Sequence, residues 1–136
     1  MAKASGILND AQIAQLFDKG QLRAARKLDD DQIQPASLDL RLGQKAWRVR
    51  ASFLPGKDNS VMSKLKRFGL HEIDLRDGAV LETGCVYILP LLESLDLEEG
   101  MSASANPKSS TGRLDIFTRV ITDRAQQFDQ VAAGYS

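Results

Sequence analysis

The chain has 136 residues, 43% hydrophobic and 26% charged, which are proportions typical of a single globular domain. Its 18 basic and 18 acidic residues cancel, so no overall positive field would hold a nucleic-acid backbone. A lone cysteine, Cys85, excludes an internal disulfide, and no apolar stretch approaches the ~20 residues of a membrane span. We therefore expect a cytoplasmic protein that binds neither nucleic acid nor membrane.

Two short helices are predicted. Asn9 is a helix cap with Gln12 at the capping-box position, so the first helix should run over about 9–19. Ser60 is placed to cap a second helix, and Gly69 follows it. The apolar residues at helical spacing are Ile13, Leu16 and Phe17 in the first helix and Val61, Leu65 and Phe68 in the second.

Most of the remaining chain shows strand patterns. Ser37–Leu42 alternates strictly, with its three leucines on one side, and a second strand through Trp47–Ala51 is its expected hairpin partner. Cys85 lies in an apolar run and is expected to be buried. Further strand segments are predicted at Ile73–Leu75, within Ala79–Leu92, near Leu95–Leu97 and over Leu114–Ile121. Many short strands with frequent turns indicate a mostly-β sandwich or barrel-like fold, one domain over 1–136 with its β-rich body at about 33–136.

The densest polar motif is Asn106–Arg113, which carries two cations, three hydroxyls and a glycine within eight residues. Hydroxyls and backbone N–H groups donate to phosphate oxygens, and Lys or Arg neutralises the charge. The spacing of a Walker A loop is missing. The motif therefore indicates either an anion-binding loop or a solvated serine-rich turn.

Zinc-dependent nucleoside deamination is excluded by the motifs that it requires. Such enzymes need His-x-Glu and Pro-Cys-x-x-Cys. Here Glu72 directly follows His71, the only histidine, and Cys85 is the only cysteine. The apolar surroundings of Cys85 also disfavour a Cys–His nucleophilic pair.

Two segments carry a family resemblance. Ile33–Gly43 resembles the early strand motif of bacterial dCTP deaminases, and Lys108–Leu114 resembles their Arg-Ser-Ser-x-Ala-Arg-Leu loop, in the same order and at a similar separation. The opening helix, ending in Phe17–Leu22, is similar too. The likeness spans about Gly6 to Tyr135, and it looks closest to the longer deaminases built of two tandem halves. This chain would then be the N-terminal half or less.

The resemblance implies a dUTPase-like β-barrel, or distorted jelly roll, with short peripheral helices. It implies hydrolytic deamination of dCTP to dUTP and ammonia, a step in dUMP and dTTP biosynthesis. Magnesium would accompany the triphosphate, no zinc would be used, and a glutamate would activate the attacking water. The expected assembly is a homo-oligomer, either a trimer with sites between subunits or an arrangement in which a missing C-terminal half supplies the second surface.

Six residues match the family's nucleotide site. In the loop, Lys108 replaces the usual arginine, Ser109 and Ser110 match the phosphate-binding serines, and Arg113 matches the second arginine. Of these, Ser109 and Arg113 would have catalytic roles, because both are expected near the water. Two further nucleotide-binding positions lie downstream: Thr122, whose backbone would contact the base, and Asp129, which matches the aspartate of the segment that ends in Gly-Trp.

The family's catalytic glutamate has no match in this sequence. It lies about ten residues beyond the Gly-Trp segment, whereas this chain ends at Ser136, and Glu72, Glu82 and Glu93 do not correspond to it. We therefore expect a fold that is incomplete at its C-terminus and a fragment that is inactive alone. The alternatives are a dUTP pyrophosphatase, a bifunctional deaminase-pyrophosphatase, and a non-catalytic nucleotide-binding or structural half.

Overall fold

The computed structural model describes residues 5–134, which form three short helices and seven short strands. No helix in this part of the chain is long and apolar enough to cross a membrane. The elements, in chain order, are α1 (Asp10–Asp18), β1 (Leu22–Ala24), β2 (Lys45–Val49), α2 (Val61–Phe68), β3 (Gly69–Asp74), β4 (Val86–Ile88), β5 (Glu93–Leu95), β6 (Ala103–Ser104), α3 (Ser109–Arg113) and β7 (Gln130–Val131).

Both predicted helices are confirmed, with their caps. At α1, the N–H of Gln12 donates to Oδ1 of Asn9 at 2.9 Å, and the N–H of Asn9 donates to Oε1 of Gln12 at 3.0 Å, which completes a capping box. At α2, Oγ of Ser60 accepts the N–H of Ser63 at 3.1 Å. These bonds satisfy N–H groups that have no partner inside the first turn of a helix.

The apolar face of α1 packs on the first strand. Ile13 and Leu16 of α1 form a buried cluster with Leu22 of β1, which the turn at Gly20 brings back against the helix. The partly buried residues around this cluster are Leu8, Phe17, Ile33, Leu38, Leu95 and Met101. The core thus ties the N-terminal helix to the segment around Leu38 and to β5.

The mostly-β prediction is confirmed, and the strands form three small antiparallel sheets. β1 pairs with β5, β2 lies between β3 and β4, and β6 pairs with β7. These sheets do not close into a barrel within residues 5–134. The β-structure begins before the predicted residue 33, because β1 already pairs with β5. That pairing joins segments far apart in sequence, so the sequence around β1 gave no sign of it.

The strand predicted at Ser37–Leu42 is wrong. The segment forms only isolated bridges, Ile33 to Leu38 and Leu42 to Leu91, and Leu42 is 58% exposed. Its backbone is engaged elsewhere, since the N–H of Asp39 donates to the carbonyl of Gln32 at 3.0 Å. β2, its expected hairpin partner, pairs instead with β3 and β4.

The strand predicted over Leu114–Ile121 is also wrong. The N–H groups of Leu114 and Ile116 both donate to the carbonyl of Thr111, so the chain turns back on α3 instead of extending. Asp115 lies in the left-handed region at φ 60°. The segment presents its apolar side chains outward, and Phe117 is 84% exposed.

The expected burial of Cys85 is wrong as well. The residue is partly exposed, at the end of the turn before β4. Its Sγ lies 3.6 Å from Oε2 of Glu82, a carboxylate that also pairs with Arg48 at 3.0 Å. The apolar run that follows Cys85 begins the strand, and the thiol itself faces a polar turn.

Candidate functional site

The predicted site residues belong to one excursion of the chain from the β6–β7 ribbon. β6 and β7 pair through Ala103 with Val131 and Ser104 with Gln130, and the N–H of Ala105 donates to the carbonyl of Asp129 at 2.9 Å. Residues 106–128 therefore form a long excursion that leaves the β6–β7 ribbon at Ala105 and rejoins it at Asp129. Five of the six predicted residues lie inside this excursion and Asp129 closes it, although no hydrogen bond or ion pair between α3 and Thr122 or Asp129 is seen in residues 5–134.

The start of the excursion carries exposed hydroxyls and an exposed guanidinium on α3. The helix begins after Lys108, whose extended backbone (φ −68°, ψ 136°) lets its carbonyl accept the N–H groups of Thr111 and Gly112 at 3.0 and 3.2 Å. Ser109 and Arg113 stand four residues apart, on the same face of the helix. Arg113 makes no ion pair or hydrogen bond through its side chain within residues 5–134. This face offers a cation and a hydroxyl to solvent.

Lys108 joins the two sequence motifs that carry the family resemblance. Its Nζ lies 2.6 Å from Oδ2 of Asp39, in the Ile33–Gly43 segment. The hydrogen bond to the Asp39 carboxylate raises the pKa of Lys108, so the ammonium stays charged at neutral pH. Motifs separated by 69 residues in sequence are thus in direct contact.

A buried polar network holds Asp39 in place. Nε2 of Gln32 donates to the carbonyl of Asp39 at 2.9 Å and to Oε1 of Glu93 at 2.6 Å. Arg41 donates its backbone N–H and its Nε to the same Glu93 carboxylate, at 2.9 and 2.8 Å. The Glu93 side chain has no exposed surface and Gln32 is 3% exposed.

Hydrogen bonding keeps this buried carboxylate charged. Burial raises the pKa of Glu93, but the hydrogen bonds from Arg41 and Gln32 outweigh burial, so its pKa lies below the usual 4.5. The partners lie 52 and 61 residues away in sequence. Sequence reasoning missed the network because a glutamate that opens a strand carries no local sign of such distant partners.

Asp129 closes the excursion through its own side chain. It adopts φ 61°, and its carboxylate accepts the N–H of Val120 at 2.7 Å and Nε of Arg119 at 2.8 Å. The Arg119 guanidinium also lies over the rings of Phe117 and Phe128, 5.8 and 5.5 Å from their centroids. Asp129 is therefore a structural clamp in this conformation, and its predicted contact with nucleotide stays a prediction.

Thr122 lies deeper than the other predicted residues. It is 8% exposed, and its Oγ1 has no hydrogen-bond partner within residues 5–134. The turn that follows it is attached to the start of α2, where the N–H of Val61 donates to Oδ1 of Asp123 at 2.6 Å. Tyr135, which aligns with the family's Gly-Trp segment, lies outside the described residues.

The exposed face of α3 presents the hydroxyls and the cation that an anion would need. The three acids considered from sequence are all engaged, Glu72 with Lys45, Glu82 with Arg48 and Glu93 with Arg41. In residues 5–134 no group of three or more His, Cys, Asp or Glu side chains could hold a metal ion. Two surface depressions, of about 320 and 270 Å³, lie beside β5 and beside Ala125–Gln127, and neither is lined by Ser109, Ser110 or Arg113.

The chain is similar to known proteins over most of its length. Residues 4–136 match the family model described as the 2'-deoxycytidine 5'-triphosphate deaminase (DCD) N-terminal domain. Over 113 residues the chain is 30% identical to the "dCTP deaminase, dUMP-forming" of Sulfurihydrogenibium sp., covering 82% of this chain and 60% of that protein. Over 125 residues it is 30% identical to the dCTP deaminase of Shewanella amazonensis, covering 86% of this chain and 64% of that protein.

A solved structure is more similar still. The crystal structure of 2'-deoxycytidine 5'-triphosphate deaminase from Agrobacterium tumefaciens superimposes with a TM-score of 0.92 at 66% sequence identity. The match covers 96% of this chain and 39% of that one. The chain thus spans less than two thirds of the length of each of these three proteins.

Proposed function

The chain belongs to the dCTP deaminase family, and on that premise we propose that the protein carrying it hydrolyses dCTP to dUTP and ammonia, supplying dUMP and dTTP synthesis. The observation that carries the proposal is the exposed face of α3. There Ser109 and Arg113 stand on one side of a helix whose preceding residue, Lys108, is tied to the other family motif. The chain has no net charge, so a triphosphate has to be bound by a local cluster of hydrogen-bond donors and cations such as this one.

In this proposal each predicted residue has a role. The hydroxyls of Ser109 and Ser110 donate to phosphate oxygens, and Arg113 and Lys108 balance their charge. Ser109 and Arg113 also position the attacking water. The backbone at Thr122 contacts the cytosine ring, and Asp129 holds the segment that faces the sugar and base.

The chemistry needs one water and one base. Water gives a proton to the base and its oxygen adds to C4, while the C4–N3 double-bond electrons move to N3, which takes up a proton; the tetrahedral C4 then bears both the hydroxyl and the amino group. The base carries the hydroxyl proton to the amino group, the bond from C4 to the amino nitrogen breaks to release ammonia, and the C4 carbonyl of uracil forms. Because Glu72, Glu82 and Glu93 do not correspond to the family's catalytic glutamate, we place the base on a glutamate outside residues 5–134.

The substrate and assembly follow from the same proposal. Magnesium enters as the complex with the triphosphate, whose oxygens are its preferred ligands. A second surface from a homo-oligomeric partner, in a trimer-like assembly, or from further chain of the same protein completes the site. We place the reaction in the cytoplasm, where nucleotide pools and reduced thiols coexist.

A bifunctional deaminase-pyrophosphatase is the second candidate. It is favoured by the Sulfurihydrogenibium relative, which is named as dUMP-forming. Product analysis separates the two functions, since a pure deaminase accumulates dUTP while a bifunctional enzyme releases dUMP and pyrophosphate. Pyrophosphate from dUTP without ammonia from dCTP would identify a dUTP pyrophosphatase instead.

Nucleotide binding tests the phosphate-binding face directly. Arg113→Ala should weaken dCTP binding about 10- to 100-fold, the value of a charge-assisted contact to phosphate. The matched control is Arg26→Ala, because Arg26 is also exposed and its side chain makes no ion pair within the described residues. Equal dissociation constants for the two variants would refute the α3 site. Tight dCTP binding without any turnover would identify a non-catalytic nucleotide-binding half.

A further inference from the structure

The ion pair between Lys108 and Asp39 places a carboxylate where the proposed function needs positive charge. Lys108 precedes α3 and Arg113 is its last residue; Arg113 has no ion-pair partner within residues 5–134, whereas the Lys108 ammonium is paired with Asp39 at 2.6 Å. A fixed negative charge at a phosphate site repels its ligand. Phosphate binding by Lys108 alone therefore does not explain why Asp39 lies beside it.

The two partners of this pair differ in how firmly they are held. The N–H and the carbonyl of Asp39 are both bonded to Gln32, at 3.0 and 2.9 Å, and Gln32 is anchored on the buried Glu93 carboxylate. The Lys108 side chain is 65% exposed and has no other hydrogen bond in the described residues. The backbone that carries the Asp39 carboxylate is thus held by the core, whereas the Lys108 ammonium sits at the end of a long, flexible side chain.

An exposed pair of this kind is easily exchanged. Such pairs contribute little to stability, because water solvates both ions well when they separate. A triphosphate brings several negative charges to the same ammonium, so it competes well against one carboxylate. The bond from Lys108 to Asp39 can therefore be replaced at small cost when the ligand arrives.

We propose that Asp39 is the counter-ion of Lys108 when no ligand is bound, and that Lys108 leaves Asp39 to contact a polyphosphate when one binds. Competition from Asp39 therefore lowers the affinity of the α3 face for polyphosphate. This inference rests on the proposed function for the identity of the ligand. Asp39 thereby limits binding of anions that carry too little charge to displace it. Triphosphates are favoured over monophosphates and inorganic phosphate on this basis.

The test is calorimetric binding of inorganic tripolyphosphate to the complete protein that carries this chain, without divalent cations. Asp39→Asn keeps the backbone bonds to Gln32 and should tighten binding about three- to tenfold, the range expected when an exposed ion pair and its repulsion are removed. Asp31→Asn is the matched control: it removes the same charge from a residue that acts on Lys108 only at a distance. It should change the dissociation constant less than twofold.

A double-variant cycle isolates the contact. In a Lys108→Ala background, Asp39→Asn should lose most of its effect, because no ammonium remains to be released. Weaker binding by Asp39→Asn would overturn the inference and make the pair a strap that keeps α3 in place. Equal effects of Asp39→Asn and Asp31→Asn would also overturn it, as would the absence of tripolyphosphate binding by both the unsubstituted complete protein and its Asp39→Asn variant.

These outcomes are separable from the proposed function. The predicted pattern of affinities without ammonia release from dCTP would refute deamination and leave the counter-ion role standing. Ammonia release from dCTP together with weaker tripolyphosphate binding by Asp39→Asn would support deamination and refute the counter-ion role. Lys108 also gives an independent NMR readout, since its pKa should fall in Asp39→Asn if the contact exists in solution.

Discussion

Replacing Glu93 with glutamine removes one charge from a side chain that has no exposed surface and changes its shape very little. The carboxylate accepts the backbone N–H and Nε of Arg41 and Nε2 of Gln32. Hydrogen bonds to a charged group contribute about 1.5–3 kcal/mol each, against about 0.5–1.5 kcal/mol for neutral pairs. In Glu93→Gln one of the two oxygens becomes an NH₂ group, which donates and cannot accept, so at least one of these three bonds is lost and the others weaken. We therefore expect Glu93→Gln to lose at least about 2 kcal/mol in the free energy of unfolding.

A larger truncation should cost more. Glu93→Ala leaves Arg41, whose side chain is only 15% exposed, without its main acceptor, and it removes the anchor of Gln32. Breaking a buried pair on one side costs about 3–5 kcal/mol. This is a large fraction of the ~5–15 kcal/mol that stabilises a typical domain, so this variant should be close to unfolding.

Urea unfolding followed by the fluorescence of Trp47, the only tryptophan, measures these losses. Glu72→Gln is the matched control. Glu72 pairs with Lys45 at the same 2.8 Å, but their side chains are 48% and 57% exposed. An exposed pair contributes at most about 1 kcal/mol, so the control should lose at most that amount. If Glu93→Gln loses no more stability than Glu72→Gln, burial does not strengthen the Glu93 network and the reasoning fails.

The remaining predictions concern pH, a cap and a glycine. The pKa of Glu93 in the folded protein lies below its usual 4.5, so its contribution to stability is present above that value and is lost as the pH falls through the folded pKa. The free energy of unfolding should therefore fall less steeply with acid in Glu93→Gln than in the parent chain, and an unchanged acid dependence would contradict this. Asp74, whose pKa is lowered to about 2 by hydrogen bonds from Arg76, should follow the same sign, with a weaker effect because the pair is exposed; a pH-independent difference between Asp74→Asn and the parent chain would contradict it. Asn9→Ala should lower the free energy of unfolding by about 1 kcal/mol, and no loss would mean that the capping box is absent in solution. Gly69→Ala would place a Cβ 2.5 Å from the carbonyl oxygen of Leu65, so it should lower the melting temperature, and an unchanged melting temperature would refute that close approach.

Local signals in the sequence predicted the helices well. Asn9 with Gln12, and Ser60 before an apolar face, determine a helix start within a few residues of chain. Such signals need no knowledge of the rest of the fold. The caps and the buried faces of α1 and α2 were therefore within reach of sequence reasoning.

Signals that depend on distant partners were misread. Ser37–Leu42 alternates like a strand, but its backbone groups bond to Gln32 and Glu93, and Leu40 and Leu42 stay exposed. An alternating pattern fixes a strand only where a neighbouring strand is free to pair with it. β2, the expected partner, is already paired with β3 on one edge and β4 on the other, so it has no free edge for Ser37–Leu42.

The candidate site shows the same division. The hydroxyls and cations of the loop were recognised from composition, and the family resemblance assigned them a role. The contact of Lys108 with Asp39, and the Gln32–Glu93 network behind it, join residues far apart in sequence. Only the fold brings those charges together, and they are the basis of the counter-ion proposal.

The most direct test of the account is ammonia release from dCTP with magnesium by the complete gene product that contains this sequence. We expect ammonia and uracil nucleotide in equal amounts, and a loss of this activity in Arg113→Ala that Arg26→Ala does not share. No ammonia from the parent protein, or full activity in Arg113→Ala, would contradict it.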